Sequence, residues 1–123
     1  VCDLAYCNGV FHHIHTVDQI TAATQVFDSL TPGGYFSFCE NNPWNPMTRF
    51  IMSRVAFDKD AKLIWPKNAR MILRSAGFEI VSTDFAFIFP ALLKTLRFLE
   101  HPLRKLPIGG QYHVLCRKTK GNR

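Results

Sequence analysis

Three histidines and two acids give this chain its candidate chemistry. His12, His13 and His15 lead to Asp18, and the run F-S-F-C-E-N-N at 36–42 ends in Glu40, Asn41 and Asn42. Imidazole titrates close to neutral pH, so His12 or His13 can act as a general base toward a hydroxyl nucleophile. A histidine at a helix entry can equally make a structural hydrogen bond. Glu40 stands at the end of a strand-like run, where it can contact a substrate or orient a histidine; as a plain strand-ending carboxylate it needs no such role.

The segment H-H-I-H-T-V-D at 12–18 also invites a metal reading, because clustered His and Asp bind zinc. It is similar to the H-x-H-x-D-H run of metallo-hydrolases, but the aspartate comes one residue late and the following histidine is missing. Cys39 beside Glu40 invites a nucleophile reading, yet it lies inside an apolar run with nothing local to lower its pKa. Trp44, Met47, Arg49 and Phe50 make a third group, aromatic and basic, suited to a planar or acidic acceptor. The plainer alternative puts Met47 and Phe50 in the core and Arg49 in solvent.

These groups need a scaffold, and the apolar pattern supplies one. Residues 1–7 form a nearly continuous apolar run, as in a parallel strand covered on both faces, ended by Asn8-Gly9. Residues 18–30 carry a helical stripe of Ile20, Ala23, Phe27 and Leu30, with Thr16 or Asp18 as N-cap and Thr31-Pro32-Gly33-Gly34 as stop. A second strand follows at 35–40, so strand, helix and strand predict a parallel pair joined by a crossover. After a loop at 41–46 with two Asn-Pro dipeptides, helices are predicted at 47–56 (Phe50, Ile51 and Val55 apolar) and 67–76 (Ala69, Ile72, Leu73 and Ala76 inward), with 57–66 irregular between them. Gly77 closes the second of these helices. A third strand, long or bulged, occupies 78–89. Pro90 opens a helix through 91–100 that His101-Pro102 ends or kinks. After the turn 107–110, residues 111–117 form a last, antiparallel strand. The expectation is one α/β domain over 1–123 with a mixed four-stranded sheet.

Composition narrows the function classes. Hydrophobic residues make up 47% and charged residues 20%, the profile of a soluble globular chain. The net charge of +6 comes mainly from the second half and the 117–123 tail, read as a solvated end that attracts acidic partners weakly. No nucleic-acid motif accompanies that charge. The four cysteines (Cys2, Cys7, Cys39, Cys116) have neither CxxC nor zinc spacing and read as small buried hydrophobes, which points to a reducing, cytoplasmic location. No run approaches the ~20 apolar residues of a membrane helix, so no stable membrane insertion is expected. The Phe-rich stretch with Lys94, Arg97, Arg104 and Lys105 can be read as lying against a membrane or a lipid-linked acceptor, or more plainly as a core strand and an amphipathic helix.

In order along the chain, D-L-A-Y-C-N-G-V-F-H-H at 3–13, L-T-P-G-G-Y-F at 30–36, S-A-G-F at 75–78 and Q-Y-H-V-L at 111–115 resemble successive motifs of the class I S-adenosylmethionine-dependent methyltransferases. These are the fourth strand with its hydrophobic-His-His turn, the entry to the fifth strand, the junction before the sixth, and the final antiparallel strand. The resemblance implies the C-terminal half of a Rossmann-like sheet. It implies S-adenosylmethionine as cofactor, with backbone groups of Cys7, Asn8 and Gly9 near its methionine end. It also implies His13, then His12, facing the reaction centre with Glu40 beside them, and a substrate lid within 41–66 using Asn41, Asn42, Trp44 and Arg49 on a small-molecule acceptor. The family's glycine-rich loop and the acidic residue after its second strand have no counterpart here. The expectation is therefore a fragment that supplies one wall of the cofactor cleft and is inactive alone. Its first strand, left without a neighbour, is expected to pair with a second copy. A non-catalytic α/β interaction module using that strand is the alternative, and a metallo-hydrolase the third reading.

Overall fold

The structure is a computed structural model that describes residues 1–54, 62–86 and 91–121, with the backbone alone at 91–93. Four strands form one sheet: β1 (Cys2–Asn8), β2 (Leu30–Asn41), β3 (Glu79–Ala86) and β4 (Gln111–Arg117), in the order β1-β2-β4-β3. β1 and β2 are parallel, whereas β4 runs antiparallel to both its neighbours. The carboxyl ends of β1, β2 and β3 therefore share one edge of the sheet. This is the expected α/β arrangement, with the last strand inserted between β2 and β3.

Side chains alternate across the sheet. Phe36, Phe38, Tyr112, Val114 and Cys116 lie on the face covered by α1 (Gln19–Ser29) and α3 (Pro66–Ser75) and are buried there. Ala23 and Phe27 descend from α1, and Ala69, Ile72, Leu73 and Ala76 from the α3 side, as the spacing predicts. The layer is aromatic: Phe27 meets Phe78 edge-on at 5.1 Å and Phe11 meets Phe38 at 5.0 Å. Contacts of this kind add roughly 1 kcal/mol each beyond the area they bury. Gly77 ends α3 at φ 108, and a Cβ there would stand 3.2 Å from the Phe27 ring. Both the backbone angle and the close approach demand glycine.

Several expectations change. Thr31-Pro32-Gly33-Gly34 is not a free turn but the start of a longer β2. The β1–β2 register jumps from Cys2↔Leu30 to Leu4↔Tyr35, and the Gly33 N–H donates to the Lys118 carbonyl at 2.6 Å. A bulge therefore absorbs the glycines. The third strand is bulged as predicted, its register slipping between Ile80 and Ser82; residues 87–90, Pro90 among them, lie outside the described residues. Helix α1 is preceded by a 3-10 turn (Thr16–Asp18), and neither Thr16 nor Asp18 makes a side-chain cap bond. That start leaves Ile20 in the first turn and 42% exposed, off the core stripe. The 91–100 helix is a 3-10 stretch (Ala91–Leu99) that passes into α4 (Glu100–Leu103). The path changes from 3-10 to α just before His101-Pro102 and ends at Leu103, one residue after Pro102, as that pair predicts.

Helix α2 (Pro46–Arg54) buries only Met52, leaving Met47, Phe50 and Ile51 exposed. It rests on loops at the sheet's end, Thr48 Oγ1 donating to the Gly110 carbonyl at 3.0 Å, and not on the core face. Val55 lies outside the described residues. The first strand is not covered on both faces either: Leu4 and Tyr6 are 63% and 64% exposed, and Cys2 is exposed with them. The basic tail is not wholly solvated. Lys118 Nζ donates to the carbonyls of Phe27 (2.9 Å) and Leu30 (3.0 Å) and lies over the Phe27 ring, capping α1 where the helix end is negative.

Candidate functional site

The site grows from the carboxyl end of β2. Glu40 points into the core face and is fully buried. A carboxylate there must be saturated with donors, and the turn after β1 supplies them. Backbone N–H groups of Phe11 (2.9 Å) and His12 (3.3 Å) donate to Glu40 Oε2, and the His12 ring meets Oε1 through Nδ1 at 2.5 Å. The 3-10 turn Phe11–His13 is thereby tied to β2, and Gln19 Nε2 ties it to α1 by donating to the carbonyls of Phe11 and Ile14. His12 is buried, while His13 is exposed with its ring 4.1 Å from that of His12. The histidine whose ring Glu40 engages is His12.

The carboxylate's field reaches its neighbours. Burial first, then Glu40, push the Cys7 thiol up to about 12, and burial chiefly raises Cys39 as well. Neither is a ready thiolate, in keeping with the structural reading of Cys39. Tyr112 is also held well above the usual phenol range, mainly by burial, and its hydroxyl donates to the Ile64 carbonyl at 2.7 Å. Lys62 N–H donates to the His12 carbonyl. The strap 62–65 thus runs from the histidine turn to the far side of the sheet.

On the other face of the same edge, Gln111 Nε2 donates to Asn8 Oδ1 (3.1 Å) and Asn41 Oδ1 (3.3 Å), while Asn8 Nδ2 donates to the Tyr6 hydroxyl. Asn8, Asn41 and Gln111 make a row of amides along the strand ends, next to Gly9. Gln111 was not foreseen; only the antiparallel register, which sets it opposite Asn41, reveals it. Asn42 is different. It is fully buried, its side chain donating to the carbonyls of Pro107 and Gly109 and accepting from the Trp44 N–H. Its groups hold the 107–110 turn against the loop after β2. Arg49 and Trp44 are exposed, Trp44 meeting Trp65 edge-on at 5.2 Å.

His12, His13, His15 and Asp18 do not converge on a metal. Among the described residues no three His, Cys, Asp or Glu side chains group in a way that holds one, and His12 Nδ1 is engaged by Glu40. The metallo-hydrolase reading loses its geometric basis. No described helix is long and apolar enough to cross a membrane.

No family model and no curated protein matches the sequence. Solved structures do match its fold. A SAM-dependent methyltransferase from Thermotoga maritima, described as a possible histamine N-methyltransferase, superposes with a TM-score of 0.75 at 16% identity, over 95% of this chain and 56% of that one. A SAM-dependent methyltransferase from Archaeoglobus fulgidus gives 0.67 at 15% identity, over 94% and 59%. The [4+2]-cyclase SpnF gives 0.60 at 16% identity, over 97% and 51%. The chain therefore has the Rossmann-like α/β fold of class I SAM-dependent methyltransferases and spans between 51% and 59% of the length of these three structures. Identities this low speak to fold alone, and a cyclase among the matches illustrates that one fold hosts several reactions.

Proposed function

We propose that the chain is the carboxyl-terminal part of an S-adenosylmethionine-dependent methyltransferase domain that acts on a small-molecule acceptor in the cytoplasm. The observation that carries this reading is the Glu40-anchored turn Phe11–His13 at the carboxyl end of β1, on a sheet whose order agrees with the methyltransferase fold. Ligands of open α/β sheets bind at that edge. Residues present fit one wall of a cofactor site: the ends of Cys7, Asn8 and Gly9, with the amides of Asn8, Asn41 and Gln111 as neutral donors and acceptors. When bound, the cofactor supplies an electrophilic methyl group on a sulfonium.

The chain's own work is then placement and proton management. Glu40 holds His12, and the pair holds the turn that carries His13 outward. His13 is the base that accepts a proton from the acceptor's nucleophile, with His12 and Glu40 positioning it. Asn41 and Arg49 border the acceptor, and Asn42 holds the loop after β2 to the 107–110 turn; of the expected lid 41–66, residues 55–61 lie outside the described residues. Four free cysteines, three of them with raised pKa, suit a reducing compartment.

Calorimetry with S-adenosylmethionine on the longest polypeptide containing this chain is the test. Micromolar binding there, with no binding to residues 1–123 alone, supports the reading. An absence of binding by the longer polypeptide refutes it. His13→Ala is expected to lower turnover at least tenfold with cofactor affinity unchanged.

A further inference from the structure

A cavity of about 540 Å³ opens at the far side of the sheet, between the strap 62–65, the first turns of α3 and β3. Ligand sites for small molecules have volumes of this order. Trp44 and Trp65 form its aromatic wall and Phe85 its floor, with Lys67, Arg70 and Lys105 around it; no carboxylate lines it among the described residues. Two indoles left 61% and 38% exposed in a concave site are unusual unless something stacks there. The cations are not equivalent. Lys105 is paired with Asp84. Among the described residues neither Lys67 nor Arg70 meets a carboxylate, and half-buried Arg70 has only the Thr83 hydroxyl at 3.5 Å from Nη1. A guanidinium in such a place is suited to a planar, bidentate anion, and the amino end of α3 adds partial positive charge.

We propose that this cavity is a binding site for an aromatic anion: a planar ring stacked on one of the two perpendicular indoles, Trp44 or Trp65, and edge-on to the other, with a carboxylate or phosphate on Arg70 and Lys67. It is distinct from the histidine turn. The cavity borders β3 and the turn borders β1, at opposite ends of the order β1-β2-β4-β3. No residue of the 11–13 turn lines the cavity. The proposal does not depend on methyl transfer.

The sequence contains two tryptophans, both in this cavity, so their indole N–H resonances report on it directly. Nitrogen–proton spectra of the 14.1 kDa chain are recorded during titration with 2-naphthoate, with neutral 2-naphthylmethanol and with acetate. Naphthoate is expected to shift both indole signals while leaving the His13 amide in place, and to bind about tenfold more tightly than the alcohol; acetate should not saturate. Arg70→Met should remove most of that tenfold preference with the alcohol's affinity retained, and Trp65→Leu should weaken both aromatic ligands. Equal affinity for acid and alcohol in the unaltered chain, or naphthoate shifts centred on the 11–13 turn, overturns the proposal. So does a full acid preference in Arg70→Met.

Discussion

Replacing Glu40 tests the lock on which the histidine turn depends. The carboxylate accepts from two backbone N–H groups and meets one ring nitrogen, all buried. Glu40→Ala strands these partners, and each unsatisfied buried group costs about 1–3 kcal/mol. Water entering the vacated space recovers part of that, leaving a loss of about 3–4 kcal/mol. Glu40→Gln keeps the shape. Its carbonyl oxygen can retain the two backbone bonds while the amide NH₂ faces His12, provided Nδ1 becomes the acceptor. Losing the charge assistance on three bonds costs ~3 kcal/mol, and relief of carboxylate desolvation returns ~2 kcal/mol. The net cost is about 1 kcal/mol.

At ~4 °C per kcal/mol for a chain of this size, melting followed by circular dichroism should fall by ~4 °C for Glu40→Gln and ~12–16 °C for Glu40→Ala. Nitrogen shifts of the His12 ring should show the proton moved to Nε2 in the glutamine variant. An alanine variant that melts within ~3 °C of the parent refutes the lock. So does a glutamine variant no better than alanine.

Three further outcomes follow from other parts of the fold. Gly77→Ala, forced to φ 108 against the Phe27 ring, should lower stability by about 2 kcal/mol, read as a reduced urea midpoint with the slope unchanged. His113 is held below the ordinary histidine range, chiefly by burial, with Asp84 opposing. The folded state therefore binds its proton less readily than the unfolded chain, so stability should be flat above about pH 7 and fall as pH drops below ~6.5. His113→Gln, which can keep a bond to Ser37, should reduce that slope in melting curves between pH 7.5 and 5. The exposed edge of β1, bearing Leu4 and Tyr6, should pair with a second copy; sedimentation equilibrium should show concentration-dependent dimers, weakened by Tyr6→Lys. A strict monomer at the highest soluble concentration contradicts this.

How far the fold was legible depended on whether the information was local. The α3 stripe, the Gly77 stop and the β1–α1–β2 unit were readable because period and cap chemistry act within a few residues. The plainer reading of α2, with Met47 and Phe50 in the core, fails because their i, i+3 spacing marks one face of a helix, yet the helix lies at the sheet's end, where no core waits for them. Glu40 was readable as a strand-end carboxylate near a histidine. Which histidine it would take was not, since that follows from how the 11–13 turn winds. Gln111 and the Trp44–Trp65 cavity depend on pairings across 70 and 21 residues, which no local pattern encodes.

The two edges of the sheet are finished differently, and the difference bears on what the chain does. Along β3 the segment after α4 closes the edge: Arg104's carbonyl accepts from the Phe85 N–H, and Lys105 Nζ donates to the Thr83 carbonyl while pairing with Asp84. Along β1 no described strand lies outside Cys2–Asn8, and Leu4 and Tyr6 face water. Unprotected edges are a liability that folds normally blunt with charge, proline or cover, and β1 has only Asp3. The Glu40-locked histidine turn stands at this open side, while the aromatic cavity stands at the closed one. A site at an open edge gains its second wall from whatever pairs there. The cavity at the closed edge has its walls within the chain, so its ligand should bind residues 1–123 unaided, whereas cofactor should not.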